Sequence, residues 1–151
     1  MATVTAPRRA AKPQIRQTQL LIDGQWTPAR SGKTFETINP ATEEVIAQVA
    51  EADAADVEKA VLAARKAFDE GPWPRMNARE RGRIMMRLAD LIEAEIDELA
   101  ALESLDNGKP VSDALLGDIP LAIETLRYYA GWADKIQGQT IPISGNYFCY
   151  T

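Results

Sequence analysis

From residue 19 to 50 apolar and polar positions alternate with the period of strands, and each run ends at a turn signal. Gln19-Leu20-Leu21-Ile22 meets Asp23-Gly24 and continues as Gln25-Trp26-Thr27. Asp-Gly between apolar runs predicts a hairpin, because a type I′ turn needs φ > 0 at both central residues. Lys33 to Ile38 alternates and stops at Asn39-Pro40; Glu44 to Ala50 predicts a further strand. The segment thus reads as three or four antiparallel strands.

At residue 53 the period becomes helical. Asp53 is placed to cap a helix and Asp56 to complement its dipole; Val57, Ala60, Val61, Ala64 and Phe68 form one apolar stripe. Gly71-Pro72-Trp73-Pro74 breaks it. Asn77 and Glu80 have capping-box spacing for a second helix, whose stripe is Ile84, Leu88, Leu91 and Ile92. Ile96, Leu99 and Leu102 continue the pattern after a bend near Glu95, as a third helix. Asn107-Gly108-Lys109-Pro110 is a helix stop. Ser112 is in position to cap a last helix that runs to about Ile136, and Pro120 inside it should kink it or end a short first piece. Thr140 to Ile143 and Asn146 to Thr151 are strand-like. The chain stops inside an aromatic strand with no charge or loop, so the sequence reads as cut.

Composition narrows the chemistry. The 151 residues hold 17 Lys and Arg against 22 Asp and Glu, a net charge of −5, with one Cys and no His. A Ser-His-Asp triad, a Cys-His pair and a His-ligated metal are excluded within the chain, as is an internal disulfide. The acidic balance argues against nucleic-acid binding, and the absence of a long apolar run against a membrane span. Residues 1–18 carry Arg8, Arg9, Lys12 and Arg16 and no acidic residue. Such a tail suits either an organelle transit peptide or a disordered leader; its two prolines and weak amphipathic period favour the leader, and a cytoplasmic protein.

No G-x-G-x-x-G or G-x-x-x-x-G-K-[ST] loop is present. Asp90, Glu93, Asp97 and Glu98 could form a carboxylate pair for acid–base work, but their spacing beside Arg79, Arg81, Arg83 and Arg87 suits a solvated, salt-bridged face better. Cys149 alternates with Phe148 and Tyr150 and has no His to deprotonate it, so a buried inert thiol is the better reading. Trp73 and the Tyr128, Tyr129, Trp132 cluster could form a ligand cage, and core packing explains them more simply.

Taken in order, several segments resemble the aldehyde dehydrogenase family. These are Leu21-Ile22-Asp23-Gly24-Gln25-Trp26, Ile38-Asn39-Pro40-Ala41-Thr42 with Glu44-Val45-Ile46, Val57 to Phe68, Gly71-Pro72-Trp73, Arg81-Gly82-Arg83, Leu88-Ala89-Asp90-Leu91-Ile92, Leu105 to Pro110, and Arg127 to Lys135 followed by Gly138 and Thr140-Ile141-Pro142. The similarity runs over about residues 20 to 151, and is greatest to the non-acylating group that oxidises retinal, betaine and short aliphatic aldehydes.

The resemblance implies an α/β fold seen only in its N-terminal part. Short antiparallel strands (19–50) and helices (53–137) would belong to the cofactor-binding domain, spanning 19–139, with most of its Rossmann-like sheet missing. Residues 140–151 would start the oligomerisation strands. It implies oxidation of a small-molecule aldehyde to a carboxylic acid with NAD or NADP, in a homo-oligomer, dimer or tetramer. The family's nucleophilic Cys, general-base Glu and cofactor loops would lie beyond residue 151. No catalytic or cofactor-binding residue is therefore assigned, Cys149 does not match the nucleophile's motif, and the 151-residue chain is expected to be inactive alone. Thr37, Ile38 and Asp106 match a monovalent-cation site (Na or K) of part of the family; a capped helix end beside a strand is the alternative. Gly117 and Leu121 match the helix that lines the family's aldehyde entrance, with ordinary helix packing as the alternative. If 151 residues were the natural chain, it would be a non-catalytic interaction or oligomerisation piece, or a fragment that does not fold.

Overall fold

The computed structural model describes residues 13–151. Of the basic tail, Arg8, Arg9 and Lys12 lie outside the described residues. Residues 13–18 run beside the body: Ala50 N donates to Thr18 O at 2.8 Å, and Arg16 pairs with Glu98 at 2.7 Å.

Strands β1 (Leu20–Ile22) and β2 (Gln25–Thr27) form the expected hairpin. Asp23 (φ 52°) and Gly24 (φ 71°) both take the left-handed conformation that a type I′ turn demands. Strands β3 (Thr34–Ile38) and β4 (Val45–Ala50) pair antiparallel. Their turn is organised by Asn39, whose Oδ1 accepts from Ala41 N at 2.9 Å.

Helix α1 (Ala54–Glu70) starts at a true capping box: Asp53 accepts from Ala55 N and Asp56 N, and Asp56 accepts from Asp53 N. Asp56 does more than complement a dipole. It is buried, 5% exposed, and both its oxygens also accept from Arg30 N, which fixes the β2–β3 connection onto the helix start. A short 3₁₀ turn (Trp73–Arg75) leads to α2 (Ala78–Ala94). Here Asn77 caps Arg79 N rather than entering the expected reciprocal box with Glu80. Glu95 makes the predicted bend, and α3 (Ile96–Asn107) ends at Gly108 with φ 83°.

The last helical stretch differs most from expectation. Pro110, not Ser112, precedes the first turn, α4 (Val111–Asp113), and Ser112 Oγ donates instead to Asp113. A π segment follows at Ala114–Asp118, in which Ile119 N donates to Ala114 O, and α5 (Ile119–Trp132) continues from it. Pro120 cannot donate to Leu116 O, and its ring would clash there in a regular helix. Widening the preceding turn by one residue absorbs that conflict without a break. Strands β5 (Thr140–Ile141) and β6 (Cys149–Tyr150) form a final antiparallel pair.

The core is built from small residues. Ala89, Ala100 and Ala114 are fully buried, and Ile22, Ala101, Ile123 and Ala130 are nearly so. Helices α2 and α5 pack closely because Gly82 has no side chain: a Cβ there would lie 2.8 Å from Ala130 O. The predicted stripes of α1 and α2 are not buried. Val57, Val61 and Phe68 on α1 and Ile84, Leu88 and Leu91 on α2 are exposed. Periodicity marks the side that can be covered; it does not supply the covering element. The same holds for Tyr128, Tyr129 and Trp132, expected in the core and found exposed, with Tyr128 edge-on to Tyr129 at 5.2 Å between centroids.

Candidate functional site

Of the residues singled out from the sequence, Thr37, Ile38 and Asp106 lie where the β3–β4 turn meets the end of α3. Two local features bring them there. The first is a bulge: Thr37 faces Ala47 but Ile38 faces Val45, so Ile46 is an extra residue on β4. A bulge breaks the ladder and re-aims the strand. The second is the glycine cap of α3. Pro40 sits against Gly108, where a Cβ would come within 2.6 Å of Pro40 Cγ. The turn thereby rests on the helix end.

Across this junction Thr37 Oγ1 donates to Asp106 Oδ1 at 3.0 Å. Thr37 is half-buried; Ile38 and Asp106 are exposed. The structure brings Thr37 and Asp106 into contact from positions far apart in sequence and keeps Ile38 beside them. Their donor set is a hydroxyl, one carboxylate and backbone carbonyls, all hard oxygen. Among the described residues no group of three or more Cys, Asp or Glu side chains is placed to hold a metal ion.

The turn after Gly108 links this junction to the π segment. Lys109 Nζ bonds Asp118 Oδ2 at 2.5 Å and lies 3.3 Å from Glu103. The Asp118 carboxylate raises the pKa of the Lys109 ammonium above its ordinary 10.5, partial desolvation opposes this, and Glu103 adds to the rise. Gly117 lies within the π segment, and a Cβ there would meet nothing within 4 Å. Leu121, on α5, is 64% exposed, and Leu116 is 79% exposed. Gly117 and Leu121 are thus both exposed in this structure.

The carboxylates of α2 find their cation on another helix. Arg127 of α5 bonds Asp90 at 3.0 Å and Glu93 at 2.5 Å, which raises its pKa, Glu93 first. This is a salt-bridged face, as expected, but Arg127 and not the α2 arginines closes it. Cys149 is a free, half-buried thiol on β6. A groove of about 330 Å³ lies between α2 and α5, lined by Arg79, Arg83, Arg87 and Lys135 over Gly82 and Gly131. It holds none of the expected site residues. At its edge Lys135 lowers the pKa of Asp134 through a 2.7 Å bond.

Sequence reasoning missed Lys109, Asp118 and the inward role of Asp56. Pro120 inside a helical pattern was the available signal for the π segment, and the D-x-x-D spacing at Asp53 was the signal for Asp56.

Comparison with known proteins gives a consistent result. The family described as "Aldehyde dehydrogenase family" matches residues 26–151. Aldehyde dehydrogenase family 2 member B4, mitochondrial, of Arabidopsis thaliana is 57% identical over 138 residues, 91% of this chain and 26% of that protein. The mitochondrial aldehyde dehydrogenase of Homo sapiens is 54% identical over 151 residues, 99% of this chain and 29% of that protein. The NAD⁺ complex of aldehyde dehydrogenase from Bacillus cereus superposes with a TM-score of 0.85 at 54% identity, over 89% of this chain and 27% of that one. The chain thus spans between a quarter and a third of the length of these relatives.

Proposed function

The chain belongs to the aldehyde dehydrogenase family, and on that premise we propose that it forms the N-terminal part of an enzyme that oxidises an aldehyde to a carboxylic acid with NAD⁺ or NADP⁺. The observation that carries this reading is the family match over residues 26–151, which takes in most of the chain. The Bacillus cereus neighbour is a complex with NAD⁺. Within this chain there is no histidine to activate Cys149, and no phosphate-binding loop. The nucleophile, the base and the cofactor loops would come from sequence following Thr151.

The role proposed for this chain is therefore to build and position. Thr37, the Ile38 backbone and Asp106 would hold one Na⁺ or K⁺, which would neutralise the Asp106 carboxylate and tie β3 to the end of α3. A single carboxylate with neutral oxygens suits a monovalent ion better than a divalent one. Gly117 and Leu121 would line the approach of the aldehyde. The β5–β6 pair, with exposed Tyr147, Phe148 and Tyr150, would pair with a second copy of the chain. The large exposed apolar faces of α1 and α5 fit a body that further sequence covers.

Among the described residues no helix is long and apolar enough to cross a membrane. We place the protein in the cytoplasm. The mature N-terminus tests this, and one well past Arg16 would instead indicate import into an organelle, as the names of the plant and human relatives indicate for them.

The test of function is aldehyde-dependent formation of NADH or NADPH by the full-length gene product. Activity there and none in the purified 151-residue chain is the expected pair. NADH formation by the 151-residue chain alone would overturn the division of labour. An intact mass in the source organism that matches 151 residues would leave the interaction role as the surviving reading.

A further inference from the structure

The groove between α2 and α5 carries positive charge that its surroundings leave unbalanced. Arg79, Arg83 and Arg87 stand at i, i+4 and i+8 on α2 and form one row along the groove, and Lys135 lines it from beyond the end of α5. At 1.5 Å per residue the row is about 12 Å long. Like charges one turn apart repel and weaken a helix.

Two carboxylates reach the groove, Asp90 and Asp134, and both are engaged by other cations. Arg127 takes Asp90 at 3.0 Å. Lys135 takes Asp134 at 2.7 Å and also donates to Gly131 O at 2.7 Å. Elsewhere in the helical region each arginine has an acceptor: Arg65 pairs with Asp69, Arg75 donates to Asp69 O, Arg81 to Met76 O, and Arg127 bridges Asp90 and Glu93. Among the described residues, none pairs with the guanidinium groups of Arg79, Arg83 or Arg87. Gly82 and Gly131 put no side chain into the groove, whose volume of about 330 Å³ is at the small end for a ligand site.

We propose that this groove binds a small anion with more than one phosphate group, supplied as a free diphosphate or as the phosphate chain of a nucleotide. The guanidinium fork matches phosphate oxygens two at a time. A phosphate monoester carries about −1.5 to −2 charge and three acceptor oxygens, so it balances the row with fewer groups than carboxylates would need. A long polyanion is a poorer fit, because the chain as a whole is acidic, with a net charge of −5. The inference stands apart from the dehydrogenase reading, since none of these residues belongs to the cation, aldehyde or strand-pairing sites.

The test is titration calorimetry of the full-length gene product with pyrophosphate and, separately, with ADP. Saturating NAD⁺ is present throughout, so that a dinucleotide site is not counted. One equivalent should bind, and more weakly as NaCl rises. Arg83→Gln and Arg87→Gln should each weaken binding by roughly tenfold, the scale of one charge-assisted hydrogen bond. Lys59→Gln, which removes an exposed charge from α1, should leave the affinity unchanged. Melting temperatures without phosphate should stay close to the wild-type value, which separates lost binding from lost folding. Equal affinities for pyrophosphate and ADP would assign the site to phosphate alone, and tighter binding of ADP would assign it to a nucleotide. Binding of neither, or binding that Arg83→Gln and Arg87→Gln leave unchanged, overturns the proposal. Absence of binding together with a changed oligomer mass in Arg83→Gln also overturns it, and would show that an acidic segment of protein covers the row.

Discussion

Pro40 packs against Gly108 so closely that the helix cap has no room for a side chain: a Cβ at Gly108 would lie 2.6 Å from Pro40 Cγ, at a backbone φ of 83°. Two penalties therefore coincide at one residue. The left-handed conformation disfavours any side chain by about 1–2 kcal/mol, and overpacking against the proline ring adds about 1–3 kcal/mol. Gly108→Ala should lower the stability of the full-length gene product by about 2 kcal/mol or more, read as a shift in the denaturant midpoint. It should also part Thr37 from Asp106, because the turn that carries Thr37 rests on that cap. A neutral Gly108→Ala would mean that the β3–β4 turn does not depend on the helix end.

Asp56 joins α1 to the β2–β3 connection through acceptors that no neighbour replaces. It takes bonds from Arg30 N and from Asp53 N at 3.1–3.2 Å while buried. Asp56→Ala removes the acceptor of these part-buried donors and should cost about 1–2 kcal/mol. Asp56→Asn keeps one carbonyl acceptor and should cost visibly less. Equal losses for the two variants, in urea unfolding, would show that packing rather than hydrogen bonding holds the connection.

Two helical glycines near the α2–α5 contact should respond in opposite directions. A Cβ at Gly82 would lie 2.8 Å from Ala130 O, whereas a Cβ at Gly131 meets nothing within 4 Å. Gly82→Ala should wedge the helices apart and destabilise by about 1–3 kcal/mol. Gly131→Ala should gain roughly 0.5 kcal/mol from reduced backbone entropy in the unfolded chain. Thermal melts of the two variants give the comparison, and a stabilising Gly82→Ala would contradict the close approach.

These contrasts mark what the sequence could and could not disclose. The Asp23-Gly24 turn, the Asp53 cap and the Gly108 stop were legible because each is a local preference of a few residues. The exposure of Val57, Ile84 and Tyr128 was not, because burial depends on partners elsewhere and periodicity records only a side. Thr37 and Asp106 came from a family resemblance, and the structure supplies what the resemblance lacked: the bulge and the Pro40–Gly108 contact that carry them together. Lys109 and Asp118 were illegible for a geometric reason. Lys109 lies in the turn between α3 and α4, outside any helix, so the helical period says nothing of its distance from Asp118.

The oxygen cluster at Thr37 and Asp106 predicts a specific response to salt. A bound ion stabilises the state that binds it, by about 1.4 kcal/mol at a tenfold excess over Kd. The melting temperature of the full-length gene product should rise with Na⁺ or K⁺ relative to choline at matched ionic strength. Asp106→Asn should abolish the difference, because a neutral amide cannot balance the charge of the ion. An equal response in wild type and Asp106→Asn would assign the effect to general screening and leave Asp106 as a helix-end partner of Thr37.

Gly117 gives the most direct test of what the open face of the π segment is for. A Cβ there meets nothing within 4 Å, so a larger side chain has room and the fold should tolerate it. Substitution inside a packed helix contact would instead destabilise by about 1–3 kcal/mol. Gly117→Phe should therefore leave the melting temperature of the full-length gene product close to the wild-type value. If Gly117 and Leu121 line the approach of the aldehyde, the phenyl ring narrows it, and benzaldehyde should lose roughly tenfold or more in kcat/KM relative to acetaldehyde. Loss of stability without a change in preference would show that another part of the protein packs on Gly117. A stable variant with an unchanged ratio would place the aldehyde elsewhere, and the π segment would then serve only to carry Pro120 through the helix.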